Sequence, residues 1–562
     1  MHRAFETSVN RRQQSLGGRW EFVPDPNDVG EQRAYFEAFP DDADTQQVPG
    51  TWNTTPEYYD YEGPAWYRRT FRLPADAAVR LHFAGVAHEA TVWVDGDRVA
   101  AHYGGYTPFE THLAGMAAGN HEIVVRVDNS RTATSIPLPG ADWFPYGGIT
   151  REAFLETIPS VSVDDVTIRY DLDGTEASVS AAVAVRNSEA ESDIDLSVSV
   201  GDARAEATAV APTGESVHTL QLGLDIERWT LDRPKLYDVA VTLTDEDGVE
   251  DDHRDRIGFR TVSVTETSIR CNGEPVDVAG VNRHEDHPDW GHAVPPTVME
   301  SDLDRIERAG CNAVRTAHYP NHPRFLDYCD ERGVLVVEEI PYWQYDEEAF
   351  ARDSVLERGE RMLTEMIERD RHHPAVVAWS LHNECYNHQD GVVDATQRLA
   401  EVARERDDSR PVTLASNTNW RGHEDRCLQH VDFVCLNAYW GWYADDRNWK
   451  EFLADVRDRH PDKPILVSEF GAGAIEGERT WNAQKWSERY QADLLSEAIA
   501  TFRDAEYVTG WTVWQYCDTR TDPRKAMERP KTKNNKGIVS EFRRPKDAYW
   551  RVQELLDEGS SD

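Results

Sequence analysis

Val376-Val-Ala-Trp-Ser-Leu-His-Asn-Glu384 and Pro464-Ile-Leu-Val-Ser-Glu469-Phe-Gly471 are two short apolar runs, and each reaches a carboxylate at its C-terminal end. Apolar runs of this length, bounded by turn signals, predict strands buried on both faces. Such strands belong to parallel sheets, where functional groups collect at the C-terminal ends. Working outward, strands are expected to end near Asn282, Ala317, Ile340, Glu384, Asn417, Tyr439, Glu469 and Tyr516. Helical periodicity falls between them at 298–309, 322–332, 355–371, 394–404 and 483–503, with a closing helix at 545–556. Eight strand–helix alternations predict a C-terminal (β/α)8 TIM barrel over residues 266–562.

Upstream the pattern is all β. Runs such as Trp66-Tyr-Arg-Arg-Thr-Phe71 and Glu122-Ile-Val-Val-Arg-Val127 are separated by Gly, Asp and Pro turns, and Val94-Asp-Gly-Asp-Arg98 carries a hairpin signal. Residues 1–158 are therefore expected to form a jelly-roll β-sandwich. Residues 159–265 are poorer in aromatics, and their strand spacing fits a seven-strand immunoglobulin-like β-sandwich. The whole is a multidomain β plus α/β chain.

Composition narrows the function. The chain has 102 acidic and 60 basic residues, a formal charge of −42, and only nine lysines, the first at Lys235. The acid is dispersed rather than gathered in a tail, so nucleic acid and anionic membranes are excluded as partners. Dispersed acid with Arg in place of Lys predicts a halophilic protein whose self-repulsion is screened by dense counterions. Seven cysteines without a CxxC pair, no apolar leader after Arg11-Arg12 and no run of membrane-spanning length predict a cytoplasmic protein with reduced thiols.

Two glutamates at two strand ends, 85 residues apart, are the pair glycoside hydrolysis requires: an acid/base and a nucleophile. The flanking motifs extend the reading. Gly17-Gly-Arg-Trp-Glu-Phe22, Val48-Pro-Gly-Thr-Trp-Asn53, Gly104-Gly-Tyr-Thr-Pro-Phe109, Asn282-Arg-His-Glu-Asp286 and Asn312-Ala-Val-Arg-Thr-Ala-His-Tyr-Pro320, with the two glutamate strands, resemble glycoside hydrolase family 2 over nearly the whole chain. The resemblance implies that Glu384 is the acid/base, preceded by Asn383, and that Glu469 is the nucleophile. It implies that Arg315 holds the nucleophile ionised and that His284 and His318 line the sugar subsite. Glu384 is expected to hold the proton of the free enzyme, raised by the neighbouring carboxylate.

Within the family the motifs resemble the β-glucuronidases most. Lys533-Asn534-Asn535-Lys536, after the eighth strand, is similar to their Asn-x-Lys signature, so Asn534 and Lys536 are expected to bind the C6 carboxylate of a uronic acid. The same resemblance gives Asn437, Tyr439 and Tyr443 around the nucleophile, Trp514 as the sugar platform, and Asp142 reaching in from the first domain. One departure stands out: Pro530 occupies the spacing of a carboxylate-binding arginine, with Arg529 one residue off. Asn282-Arg-His-Glu-Asp-His-Pro288 and His318-Tyr-Pro-Asn-His-Pro323 lean towards β-galactosidases, which keeps a β-galactosidase or β-galacturonidase as the alternative. A carbohydrate-binding protein without activity is the non-enzyme alternative. The implied protein is a retaining exo-glycosidase acting on terminal β-D-glucuronides, a glucuronide conjugate or an oligosaccharide end being the substrate. It is expected to be a dimer or tetramer and to need no cofactor. The His284–His292 cluster lacks the compact spacing of a zinc site, so no metal is expected.

Overall fold

The computed structural model describes residues 3–445 and 448–559. The first domain packs a six-stranded antiparallel sheet against a four-stranded one. Trp20, Phe22 and Tyr67 from the larger sheet meet Leu81, Phe83 and Leu155 from the smaller in one core. The expected hairpin after Val94 is a two-residue turn, with Asp95 at φ 52° and Gly96 at φ 88°. That left-handed pair matches the twist of the flanking strands.

The middle domain has seven strands in sheets of three and four. Its strand Glu176–Asn187 buries every second residue, so a one-residue slip would turn Val179, Val183 and Val185 to solvent. The core is aliphatic apart from Phe259.

The barrel closes on eight parallel strands: β1 (Val278–Asn282), β2 (Ala313–Thr316), β3 (Leu335–Glu339), β4 (Val376–Asn383), β5 (Val412–Ser416), β6 (Val434–Asn437), β7 (Ile465–Phe470) and β8 (Val508–Val513). Their residues are buried almost without exception, as strands walled by side-chain layers inside and helices outside must be. Several strands stop short of the expected ends. Ala317, Tyr439 and Tyr516 lie beyond the ladder, in the loops that turn over the barrel mouth. The helix expected at 483–503 begins only at Glu488, because the Ser487 side chain caps it by accepting from the Tyr490 N–H, while Ala483 and Trp486 adopt positive φ.

The domains are tied together by charge. Arg3 bonds Asp327 of the barrel at 2.8 Å and Asp255 of the middle domain at 3.2 Å. At the barrel mouth, the Arg520 guanidinium lies 3.5 Å from the ring centre of Tyr59 and 3.4 Å from that of Phe144, both in the first domain. Tyr146 donates to Asp286 at 3.0 Å. These contacts hold the 141–149 loop against the barrel.

Candidate active site

A cavity of about 160 Å³ opens at the C-terminal end of the barrel, lined by Glu384 and Glu469 among others. Glu469 is 3% exposed on β7. Its Oε1 accepts from Arg315 Nη1 at 2.9 Å and its Oε2 from the Tyr439 hydroxyl at 2.6 Å. Glu384 follows β4 directly and is half-buried, with φ 52°. Few non-glycine residues take that conformation, and they persist where surrounding contacts over-determine them. Here the Glu384 N–H donates to Ala415 O at 2.8 Å, and the carboxylate accepts from Gln344 Nε2 at 2.9 Å and Asn437 Nδ2 at 3.2 Å.

Arg315 reaches beyond the nucleophile. Its Nη2 donates to both oxygens of Glu339 at 2.9 and 2.8 Å and to Asn383 Oδ1 at 2.9 Å. Glu339 also takes His318 Nδ1 at 2.9 Å and the Ser380 hydroxyl at 2.6 Å. Burial opposes ionisation of Glu339, but Arg315 and His318 overcome it and hold its carboxyl at about 2. Sequence reasoning passed over this residue, although the signal was present: Leu335-Val-Val-Glu-Glu339 is another apolar run ending on carboxylates. Strand alternation separates the two, since Glu338 faces Arg369 and Glu339 faces the barrel interior.

In the empty cavity the carboxyl pushed up is Glu469, to about 8. Burial is the main cause; Arg315 opposes it, and the Glu384 charge adds to it. The sequence points to Glu384 as the raised carboxyl; the upward push falls on Glu469 instead, because Glu469 is the more deeply buried of the two.

At the other end of the cavity a cluster of donors gathers around the first domain's Asp142. Arg529 Nη2 donates to both Asp142 oxygens at 2.9 Å, and Asn534 Nδ2 donates to Oδ2 at 2.9 Å. Lys536, 3% exposed, donates to Asn534 Oδ1 at 3.3 Å and lies 5.6 and 5.2 Å from the ring centres of Tyr439 and Tyr443. The offset of Arg529 is absorbed by the backbone, since Lys531 and Thr532 both turn to positive φ between Arg529 and Asn534. Lys533 pairs with Glu541 and Lys546 with Asp518, so neither takes part in the cluster.

Trp514 stacks on His318, with centroids 5.0 Å apart, and both line the cavity. His284 packs edge-on behind Trp514, takes the Tyr319 hydroxyl at 3.1 Å, and does not line the cavity. Asn383 and Asn437 sit beneath Glu384, joined at 2.9 Å, and Asn383 Nδ2 is a buried donor with no partner among the described residues. Tyr443 is 56% exposed at the rim. Trp343, Asn417, Trp420, Arg421 and Lys525, none of them singled out from the sequence, complete the lining.

In the His284–His292 stretch both carboxylates are engaged by protein, Glu285 by Arg151 at 2.9 Å and Asp286 by Tyr146, and His292 Nδ1 meets Glu285 O at 2.6 Å. Two other groupings bring three potential ligand atoms within 4.8 Å: Glu110, His112 and Asp164, and Asp327, Asp330 and His373. Both lie away from the cavity and are already neutralised by cations, Arg186 at 2.9 Å from Asp164 and Arg3 at 2.8 Å from Asp327.

Two carboxyl groups of opposed duty at the mouth of a parallel barrel, one held by a guanidinium and a phenol, the other by two amides, define a glycoside hydrolase. The comparisons agree. Residues 262–558 match the "Glycosyl hydrolases family 2, TIM barrel domain" profile, residues 13–159 its sugar binding domain, and residues 161–260 "Glycosyl hydrolases family 2". The chain belongs to glycosyl hydrolases family 2. It is 28% identical to a β-glucuronidase of Paenibacillus borealis, over 96% of each chain, and 28% identical to that of Homo sapiens, over 97% of this chain and 92% of the other. Among solved structures, a β-galacturonidase from Eisenbergiella tayi bound to galacturonate superposes with a TM-score of 0.92 at 33% identity, covering 99% of both chains. A Ruminococcus gnavus β-glucuronidase gives 0.88 at 27%, covering 98% of this chain and 100% of the other.

Proposed function

We propose that the protein is a retaining exo-β-uronidase that removes terminal β-D-glucuronate. The observation that carries this reading is the donor cluster in which Arg529 and Lys536 line the cavity and Asn534, just behind them, joins Lys536 to Asp142. A chain with nine lysines and a charge of −42 has little reason to bury Lys536 without a carboxylate bonded to it, unless the carboxylate arrives with the substrate. Glu469 attacks the anomeric carbon while Glu384 passes a proton to the leaving oxygen. With the nucleophile esterified, its charge is gone, and Glu384 takes a proton from water, which attacks the same carbon and releases the sugar with its β configuration retained. His318, Trp514, Asn383, Asn437, Tyr439 and Tyr443 surround the sugar in this reading, with His284 bracing Trp514.

Terminal β-D-galacturonate is the second reading. It is favoured by the 33% identity to the Eisenbergiella tayi enzyme, against 26–29% for the glucuronidases compared. The two sugars differ at C4. The test is kcat/KM on p-nitrophenyl β-D-glucuronide, β-D-galacturonide and β-D-galactoside in molar salt, for wild type and Lys536→Ala. Uronides should dominate, and Lys536→Ala should cost them about 100-fold, the worth of one buried charge-assisted bond, with under tenfold on the galactoside. A dominant galactoside, unaffected by Lys536→Ala, would refute the uronide reading. We further propose that this is a halophilic, cytoplasmic enzyme working as a homo-oligomer. Its dispersed charge supports the first of these, and its seven buried free thiols support the second.

A further inference from the structure

Two cations that line the cavity have no part in the uronate cluster. Arg421 follows β5 beside Trp420, and Lys525 lies on the short turn Pro523–Ala526 after β8. Neither has a carboxylate within 4.0 Å or a side-chain hydrogen bond among the described residues. Their neighbours do: Arg524 bonds Asp522 at 2.8 Å, Arg520 bonds Asp60 at 2.9 Å, and Arg426 pairs with Asp390. Lys525 is held by an aromatic face instead, its ammonium 4.1 Å from the Trp343 ring centre. Arg421 is exposed, 6.0 Å from the Tyr386 ring centre. Burial draws the Lys525 ammonium below its ordinary value, while Asp142 opposes this. In a chain with 42 more acids than bases, cations left unpaired at a cavity mouth stand out against a background where carboxylates are plentiful.

Their placement fixes which part of a substrate they meet. Glu384 must face the leaving oxygen, and its Oε2 is held by Gln344 on the loop after β3. β3 and β5 are the strands that pair with β4, so Trp343 and Gln344 after β3, and Trp420 and Arg421 after β5, flank Glu384, and Trp343 carries Lys525 on its face. The glycone donors Arg529 and Asn534 bond Asp142 and Lys536 bonds Asn534, whereas Lys525 feels the Asp142 charge without bonding to it. We propose that Lys525 and Arg421 form a second anion subsite on the leaving-group side, and that the preferred aglycone is an acidic sugar bearing a carboxylate or sulfate. The indoles of Trp343 and Trp420 supply apolar walls for its ring, and the two cations hold its charge, so the natural substrates are the non-reducing ends of acidic oligosaccharides.

This rests on the exo-uronidase reading for the chemistry but not for its test. The p-nitrophenyl series selects the glycone, and disaccharides are then built on that glycone with three reducing-end sugars: a neutral hexose, a hexuronate and a sulfated hexose. kcat/KM is measured for wild type, Lys525→Met, Arg421→Met and the double variant at one fixed salt concentration. Wild type should favour an acidic disaccharide over the neutral one by about tenfold or more. Each single variant should lose most of that preference and change the neutral disaccharide by less than about twofold. The hexuronate and sulfate arms identify which anion is read. Equal rates on neutral and acidic disaccharides in wild type, or variants that slow both alike, would overturn the subsite. Failure of the uronide reading shows separately, in the p-nitrophenyl series.

Discussion

Glu339→Gln tests how the charges of the site are shared. The substitution keeps the shape of the side chain and removes its charge. Arg315 divides its guanidinium between two carboxylates, with Nη1 on Glu469 and Nη2 on Glu339, both at 2.9 Å or less. The span of one guanidinium with a hydrogen bond at each end puts the two negative charges roughly 6 Å apart. At an effective dielectric constant of about 20 their repulsion is about 3 kcal/mol, or about two pKa units. A neighbouring negative charge raises a carboxyl's pKa, so deleting it lowers the titration of Glu469. The limb of the kcat/KM–pH profile set by Glu469 should therefore move to lower pH by about two units. Stability should fall as well, by about 2–4 kcal/mol in denaturant unfolding, because buried Arg315 loses one of two counterions and a glutamine amide faces donors. Ser380→Ala, which removes only a neutral donor to Glu339, should leave that limb in place. A Glu339→Gln profile that stays put or moves upward would refute the shared-cation account, whatever happens to stability.

Tyr439→Phe removes the 2.6 Å bond that favours ionised Glu469, so the same limb should move the other way, to higher pH, by about one unit. Glu384→Ala should lose activity on poor leaving groups far more than on 2,4-dinitrophenyl uronide. Added azide should restore turnover and give a β-glycosyl azide; an α product would contradict retention. The melting temperature should rise by about 10 °C or more between 0.1 M and 3 M KCl, as counterions screen a charge of −42, and a flat response would remove the halophile reading.

The barrel was legible in the sequence because parallel strands are buried on both faces. Val376–Glu384 and Ile465–Glu469 open on unbroken apolar residues, every strand residue is buried, and each run reaches a carboxylate that marks the pocket. The sandwiches were legible for the opposite reason, since alternation along strands such as Glu176–Asn187 declares one wet face. Residues engaged through tertiary structure were harder. Glu339 matched the same rule as Glu384 and Glu469 but lacked a motif, and only the placement of Arg315 gives it a function. Arg529 sat at the wrong spacing in sequence, and two left-handed residues, Lys531 and Thr532, bring it to Asp142. Spacing rules assume regular backbone, and loops over a barrel mouth are where that assumption fails. Lys525 and Arg421 carried no local signal, because what sets them apart is the lack of a carboxylate partner among the described residues.

The first domain's part in the site follows from the charge balance. Arg529, Asn534 and Lys536 together would leave an unbalanced positive cluster in a half-dry cavity, which is costly when no substrate is present. Asp142 offsets it, accepting from Arg529 and Asn534 at 2.9 Å. That carboxylate comes from a different domain, and Arg520 between Tyr59 and Phe144, with Tyr146 on Asp286, holds it there. A uronate entering the cluster must then share its donors with Asp142, so the affinity of the pocket for its substrate's charge is set by how firmly the 141–149 loop is docked. Weakening that dock at Arg520 releases Arg529 and Asn534 from Asp142 and should lower KM for uronides, through a residue that touches neither sugar nor nucleophile. The sandwich therefore acts as a component of the specificity machinery as well as a support for the barrel.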